Sequence, residues 1–198
     1  MPEVPEGNPV PEKAPAAPAP VAAVPAASTK PAPVPWESTL VQQLRTAYGD
    51  RICNATTFAG QNYIVVDRSV CHDVLLNLYE QSDYTSLTDL TAVHYPKDEL
   101  PFEMVWILHS MSANERVRVK ARFADGEAVP TATDRWIGAN WMEREVYDMF
   151  GVRFAGHPDL RRILMPEEWT GHPLRKDYAP DLQDVAWVQK NLGIESGQ

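Results

Sequence analysis

The sequence has 198 residues, of which 44% are hydrophobic and 23% charged, and its formal net charge is −9 at pH 7. This length allows one domain of ordinary size plus extensions, and the composition is typical of a soluble, at least partly globular protein. Because proteins that bind nucleic acids or anionic membranes need a basic surface, the acidic balance argues against DNA, RNA and lipid as direct partners.

The two cysteines, Cys53 and Cys71, lie outside any CxxC or histidine-flanked spacing. Thiols in this arrangement provide neither an iron–sulfur cluster nor a four-ligand zinc site, so we expect reduced thiols. The longest strongly apolar run, Met104–Leu108, is far shorter than the roughly 20 residues that a membrane-spanning helix needs. Glutamates and prolines near the start do not fit a signal peptide, and we expect an unsecreted protein.

Residues 1–35 have the composition of a disordered arm. They contain eleven of the 18 prolines and nine alanines, and they include no aromatic residue. Such a segment buries too little surface to offset the entropy lost on ordering. We therefore expect a semi-extended arm, followed by a folded domain over residues 36–150.

Apolar residues at helical spacing predict three helices in this domain. The first lies between a cap at Ser38 and a stop at Gly49. The second begins near Asp67 or Ser69, and the third covers Asp134–Phe150.

Runs of β-branched and aromatic residues predict five strands. These are Arg51–Phe58, Gln61–Val66, Leu87–Tyr95, Phe102–His109 and Arg116–Phe123. The order α-β-β-α-β-β-β-α indicates an α+β fold, a two-layer α/β sandwich in which helices cover one face of a five-stranded mixed sheet.

The last predicted strand alternates cations with apolar residues. Period-two geometry places its cations on one face of the sheet, namely Arg116, Arg118, Lys120 and Arg122. Two interpretations fit this pattern. The face is either an ordinary solvated surface or an electrostatic docking surface for an acidic partner.

The composition changes again after Gly151. Residues 151–180 contain three glycines and four prolines between short apolar islands. A segment of this kind does not form its own core. We therefore expect residues 151–198 to form an extended tail that lies along another surface and binds a partner.

Charged residues are concentrated on the third predicted helix. Glu143 and Glu145 are two residues apart and do not share a helix face, which argues against a paired-carboxylate acid/base site. Arg144 and Asp148 are four residues apart and are expected to pair on the surface.

Two Gly-His-Pro turns follow, at His157 and His172. These histidines, with Asp159 or Asp177, are chemically able to bind a metal, but no short-range ligand spacing supports a site, and structural turns are favoured. The sequence contains no glycine-rich phosphate loop, dinucleotide fingerprint or nucleophile elbow.

The run from Glu143 to Leu164, and its continuation through Gly171-His172-Pro173 to Tyr178, closely resembles the C subunit of the proton-translocating NADH:quinone oxidoreductase, respiratory complex I. The resemblance implies a non-catalytic scaffold in the peripheral arm, with no cofactor of its own. Flavin, iron–sulfur clusters, NADH and quinone are implied in partner subunits of that arm, and the D and B subunits are the implied neighbours. The complex transfers electrons from NADH to quinone and pumps protons.

The same resemblance implies a peripheral location on the cytoplasmic face of the bacterial inner membrane, with membrane association only through the complex. We expect the motif and the tail to supply the partner interface. Its candidate residues are Glu143, Arg144, Glu145, Asp148, His157, Arg161, Arg162, His172, Arg175, Lys176 and Asp177. Two alternatives stay open: the equivalent subunit of a related membrane-bound hydrogenase or NADH-independent quinone reductase, and a free-standing metal hydrolase.

Overall fold

The structure is a computed structural model that describes residues 32–178 and 185–193. Most of the predicted arm and the end of the predicted tail lie outside the described residues. The helices are α1 (Thr39–Tyr48), α2 (Cys71–Gln81), α3 (Ala139–Phe150) and α4 (Val185–Leu192). The strands are β1 (Val34–Pro35), β2 (Ile52–Phe58), β3 (Gln61–Val66), β4 (Ser86–His94), β5 (Phe102–Ser110), β6 (Glu115–Phe123), β7 (Val129–Pro130) and β8 (Phe154–Ala155).

A mixed sheet of six strands forms one layer of the fold. Its strand order is β1-β2-β3-β6-β5-β4. Only β3 and β6 are parallel, with Ile64 opposite Val119, and the other neighbours are antiparallel. Short parallel strands β7 and β8 form a separate ladder. The predicted α+β sandwich with a mixed sheet is confirmed, but the sheet has six strands instead of five.

The additional strand, β1, lies in the segment that the sequence assigns to the arm. Val34 pairs with Thr57, and the Trp36 amide donates to the Ala55 carbonyl at 2.9 Å. Two residues are too few to show an alternating pattern, and Pro33 precedes the strand while Pro35 lies within it, so the sequence carries no strand signal here. The arm prediction is therefore wrong for residues 34 and 35.

The two faces of the sheet have different environments. The inward residues of β6, which include Val117 and Val119, are fully buried in a core completed by α1, α2 and α3. The intervening residues Arg118, Lys120 and Arg122 remain partly exposed on the opposite face. The alternating pattern of this strand is thus confirmed, and the face without helices is called the outer face below.

The helix boundaries follow local capping in α1 and tertiary anchoring in α3. The Ser38 hydroxyl accepts a hydrogen bond from the Val41 amide at 3.2 Å, as the predicted cap requires. Helix α3 begins at Ala139, and the start predicted at Asp134 is wrong. The preceding residues form turns instead, because the buried Trp136 indole donates to the Thr85 carbonyl at 3.0 Å and packs edge-on against Tyr79.

Among the described helices, none has the length and hydropathy needed to cross a membrane.

We predict that the two faces of β5 differ in their contribution to stability. Leu108 is fully buried on the core side, so Leu108→Ala should lower the free energy of unfolding by about 2–5 kcal/mol. Ile107 lies on the outer face and is only partly buried, so Ile107→Ala should cost about 1 kcal/mol or less. Urea denaturation of both variants measures this. Equal losses would contradict the assignment of the two faces.

Candidate functional site

Helix α3 carries four of the candidate residues and divides them between interior and solvent. Glu143 and Asp148 are fully buried, Arg144 is nearly so, and Glu145 is exposed. As helix geometry predicts, Glu143 and Glu145 do not share a face.

Asp148 is the anchor for the loop that follows the helix. Its Oδ2 atom accepts hydrogen bonds from three successive backbone amides, those of Ile163 at 3.0 Å, Leu164 at 2.7 Å and Met165 at 2.8 Å. The Oδ1 atom pairs with Nη1 of Arg162 at 2.7 Å. Burial alone would raise the pKa of Asp148, but these hydrogen bonds outweigh it and hold that pKa below its ordinary value.

Arg144 has a different role from the one expected. It does not pair with Asp148, and the predicted surface ion pair between them is wrong. Its guanidinium donates to the carbonyls of Arg161 and Arg162, both at 3.2 Å, and lies 5.2 Å from the centre of the Trp141 ring. The tertiary fold brings Arg162 to Asp148 instead, and sequence spacing gives no sign of that partner.

Glu143 joins α3 to the segment that precedes it. Its Oε1 atom accepts from the Ala132 amide at 2.6 Å, and its Oε2 atom lies 2.7 Å from the Thr131 hydroxyl. Burial raises the pKa of Glu143 to about 7, because these two hydrogen bonds only partly compensate for desolvation. Thr131 lies directly after β7, so this carboxyl holds the β7 segment against the helix.

The two histidines of the Gly-His-Pro turns bind backbone groups. In His157, Nε2 faces the Asn140 carbonyl at 3.2 Å, and Nδ1 accepts from the Asp159 amide at 3.0 Å. In His172, Nδ1 lies 2.9 Å from the carbonyl of Asp148. These contacts fit the structural role that the sequence favoured for both turns.

Gly151 allows His172 to approach the end of α3. Its φ of 78° is in the left-handed region, and a Cβ atom built there would lie 2.7 Å from the His172 ring. A side chain at this position would therefore strain the backbone and displace the imidazole.

The far end of the described tail is fixed to the edge strand of the sheet. The Lys176 amide donates to Nδ1 of His94 at 3.0 Å, and burial lowers the pKa of that histidine, which keeps the ring nitrogen an acceptor. Arg175 pairs with Asp125 at 2.7 Å and with Asp177 at 3.2 Å. His94 and Asp125 were missed by sequence analysis, because each lies far along the chain from the residue that it binds.

The expectation that the segment after Gly151 lies along another surface is wrong for part of this segment, because that part packs on the domain of its own chain. Val152 and Phe154 belong to the hydrophobic core, β8 pairs with β7, and the Leu174 amide donates to the Met149 carbonyl at 3.0 Å. The glycine and proline content hid this packing, because the segment is held largely by hydrogen bonds from α3 and not by a periodic apolar pattern.

The arrangement is suited to holding loops of this chain in fixed positions. The buried carboxylates of Glu143 and Asp148, the guanidinium groups of Arg144 and Arg162 and the two imidazoles bind groups of the same chain. Arg161, which is exposed, pairs with Asp159 at 2.9 Å. Within residues 32–178 and 185–193, no three of His, Cys, Asp and Glu lie close enough to hold a metal ion. The fold and this internally bonded motif together define an α+β domain whose third helix binds the segments before and after it.

The motif and the fold match one family. The profile of the family described as "Respiratory-chain NADH dehydrogenase, 30 Kd subunit" matches residues 64–183. The chain belongs to this family, and the resemblance to the C subunit of complex I is confirmed. It is thus a member of a family of subunits of an oxidoreductase complex.

Individual relatives agree with this assignment. The C subunit of the NADH-quinone oxidoreductase of Geobacter sulfurreducens is 43% identical over 140 residues, which are 70% of this chain and 86% of the relative. A fused C/D subunit of the same enzyme from Acinetobacter baumannii is 39% identical over 74% of this chain and 27% of the fusion. A chain of an archaeal membrane-bound sulfane sulfur reductase has a TM-score of 0.62 and 26% identity over 78% of this chain and 90% of its own.

We predict that removing the charge of Asp148 releases the loop that it holds. Asp148→Asn replaces an acceptor oxygen by an amide donor, so the free energy of unfolding should fall by about 3–5 kcal/mol, as for other broken buried ion pairs. Asp159→Asn is the matched control, because this exposed aspartate pairs with exposed Arg161, and its loss should cost less than about 1 kcal/mol. Urea denaturation gives both values, and similar costs would mean that Asp148 is not the anchor.

We also predict that Glu143 makes stability depend on pH. A pKa raised from 4.5 to about 7 on folding stabilises the fold fully below pH 4.5, and this stabilisation is lost as the pH rises through about 7. Glu143→Gln stays neutral, so its stability relative to the native chain should rise by about 1–3 kcal/mol between about pH 5 and pH 8. Exposed Glu145→Gln should show no such rise. Denaturation at several pH values tests this, and parallel profiles would refute it.

Proposed function

We propose that the chain is a non-catalytic scaffold in the peripheral arm of an NADH-quinone oxidoreductase, and that it binds no redox cofactor itself. Family membership supports the assembly, and the internally bonded motif supports the scaffold role, since its polar groups are engaged in holding loops. In this proposal flavin, iron–sulfur clusters, NADH and quinone are bound by partner subunits of the peripheral arm.

The neighbours proposed for the chain are the D and B subunits, with the complex on the cytoplasmic face of the inner membrane. The fused C/D subunit of Acinetobacter baumannii supports proximity to D, because fusion keeps the two parts in one molecule. The proposals that the B subunit is a neighbour and that the complex lies on the cytoplasmic face are supported by the resemblance of residues 143–178 alone.

The observation that carries the docking proposal is an exposed apolar group at the start of α3. Ile137 is 86% exposed, Trp141 is 62% exposed, and Leu164 protrudes from the loop that Asp148 holds. Tryptophan is among the residues that most often dominate binding energy at protein interfaces. The Arg144 guanidinium lies 5.2 Å from the centre of the Trp141 ring and donates to the backbone carbonyl of Arg161.

The interface residues expected from the sequence therefore fall into two sets. Glu145, Arg161, Lys176 and Asp177 are exposed, and we propose that they contact partner subunits. The buried residues Glu143, Arg144 and Asp148, with half-buried Arg162, are proposed to act indirectly by holding the docking loops in place. The remaining candidates, His157, His172 and Arg175, are proposed to shape the turns of the tail. In this proposal the domain of residues 36–150 carries the tail of residues 151–198 as its contact surface.

A second candidate is the equivalent subunit of another membrane-bound respiratory complex. The likeness to a chain of the archaeal sulfane sulfur reductase supports this candidate, since that chain has a similar fold and belongs to a different respiratory membrane complex. Purification of the native complex separates the two candidates. A flavoprotein partner with NADH oxidation favours the first, and their absence favours the second.

We predict that Trp141 contributes to docking and little to folding. Trp141→Ser should weaken retention of the neighbouring subunits by about tenfold or more, as expected for a buried interface tryptophan, and NADH-quinone reductase activity in membranes should fall with it. The matched control is Met111→Ser, because Met111 is also apolar, is 70% exposed and lies on the β5–β6 turn. Both variants should melt within a few degrees of the native chain.

Co-purification with a tagged chain measures the retention of the D subunit. If Trp141→Ser lowers the melting temperature and leaves the D subunit bound, the tryptophan serves the fold and this docking surface is refuted.

A further inference from the structure

A buried histidine of the edge strand is in contact with the tail. His94 is the last residue of β4, is 2% exposed, and stacks on Phe102 of β5 with 4.8 Å between the ring centres. The backbone amide of Lys176 donates to its Nδ1 atom at 3.0 Å. Residues 175–178 are called the strap below, and this hydrogen bond joins the strap to the sheet.

Arg175 attaches the strap through its charge. Its guanidinium pairs with Asp125, on the turn between β6 and β7, at 2.7 Å, and with Asp177 of the strap itself at 3.2 Å. The same group lies 5.1 Å from the centre of the Phe102 ring. Both aspartates are about half exposed, and ion pairs that remain in contact with water contribute little to stability.

The strap has little apolar anchoring. Leu174, which precedes it, is 53% exposed, Lys176 and Asp177 are exposed, and Tyr178 is half-buried. The Lys176 ammonium lies 5.1 Å from the centre of the Tyr95 ring. Segments with few buried apolar contacts open locally at a smaller cost in free energy than global unfolding. We therefore expect the strap to open while the sheet stays folded.

The hydrogen bond from the Lys176 amide requires a neutral His94. Its Nδ1 atom accepts only when it carries no proton, because an imidazolium ring has N–H donors on both nitrogens. Protonation would therefore replace the hydrogen bond by two N–H groups that face each other. It would also place a positive charge on a ring that has almost no contact with water.

The charged groups that face His94 largely offset one another. Asp177, whose Oδ1 atom lies 3.8 Å from Nδ1, and Asp125 favour the protonated ring, whereas Arg175 and Lys176 disfavour it. Phe102, on the neighbouring strand, carries no charge. Burial therefore decides the direction, and it lowers the pKa of His94 below the ordinary value of 6.5.

We propose that the strap is a pH-sensitive switch, which neutral His94 holds closed and which opens when His94 is protonated. An open strap leaves the ring accessible to water, where it regains its ordinary affinity for protons. The stabilisation of the closed strap is therefore complete above about pH 6.5 and is lost progressively as the pH falls below that value. Lys176 and Asp177 would then lose their fixed positions, and the consequence for partner binding rests on the function proposed above.

The test measures hydrogen exchange of the Lys176 amide in the full chain, without any partner. Its protection factor, which is the exchange rate corrected for the intrinsic rate at each pH, should fall about five- to tenfold between about pH 7.5 and pH 5.5. Because no partner is present, a negative result would refute the switch and leave the scaffold proposal unaffected.

Two variants separate His94 from the other histidines. His94→Asn keeps an acceptor oxygen in place of Nδ1 but does not titrate, so the protection factor of Lys176 should change less than about twofold over the same pH range. His109→Asn is the matched control, because this half-buried histidine lies near the opposite end of β5 from Phe102, and the native pH dependence should persist.

Three results would overturn the proposal. The first is a protection factor of Lys176 that does not depend on pH in the native chain. The second is the same pH dependence in His94→Asn as in the native chain. The third is a His94 ring that titrates at or above pH 6.5 in an NMR titration of the native chain, and this measurement decides alone if His94→Asn does not fold.

Discussion

The segment after α3 depends on the hydrogen bonds and the ion pair that the Asp148 carboxylate makes with residues 162–165. A buried charge is tolerated only where hydrogen bonds replace the lost water, and here three consecutive amides and one guanidinium do so. The carbonyl of the same residue binds His172. One residue of α3 thus fixes the tail at two separate points, the loop of residues 162–165 and the second Gly-His-Pro turn.

Glu143 is a second buried carboxyl on α3, and its hydrogen-bond partners differ in charge from those of Asp148. It is as deeply buried as Asp148, but its partners within the described residues are one amide and one hydroxyl, and neither carries a positive charge. The pKa of Glu143 is therefore raised, whereas that of Asp148 is lowered. Between them, the two carboxyls attach α3 to the segment before it and to the segment after it. Both carboxyls therefore act as anchors for neighbouring segments of the chain.

This organisation suits a protein whose proposed task is to hold other subunits at fixed positions. The rigid part consists of a six-stranded sheet and the loops that α3 restrains, and the exposed apolar group near Trp141 lies on that rigid part. Pre-organised loops lose little conformational entropy on binding, so the free energy of binding is not reduced by the need to order them.

Local patterns in the sequence determined the helices α1 and α2, the long strands and the charged outer face of β6, because side-chain periodicity follows directly from backbone geometry. The family was also recognisable from residues 143–178. Tertiary structure alone decided the edge strand at Val34, the late start of α3 and the partners of Asp148. These depend on residues brought together from distant parts of the chain, and burial then decides whether a carboxylate is solvated, neutral or bound.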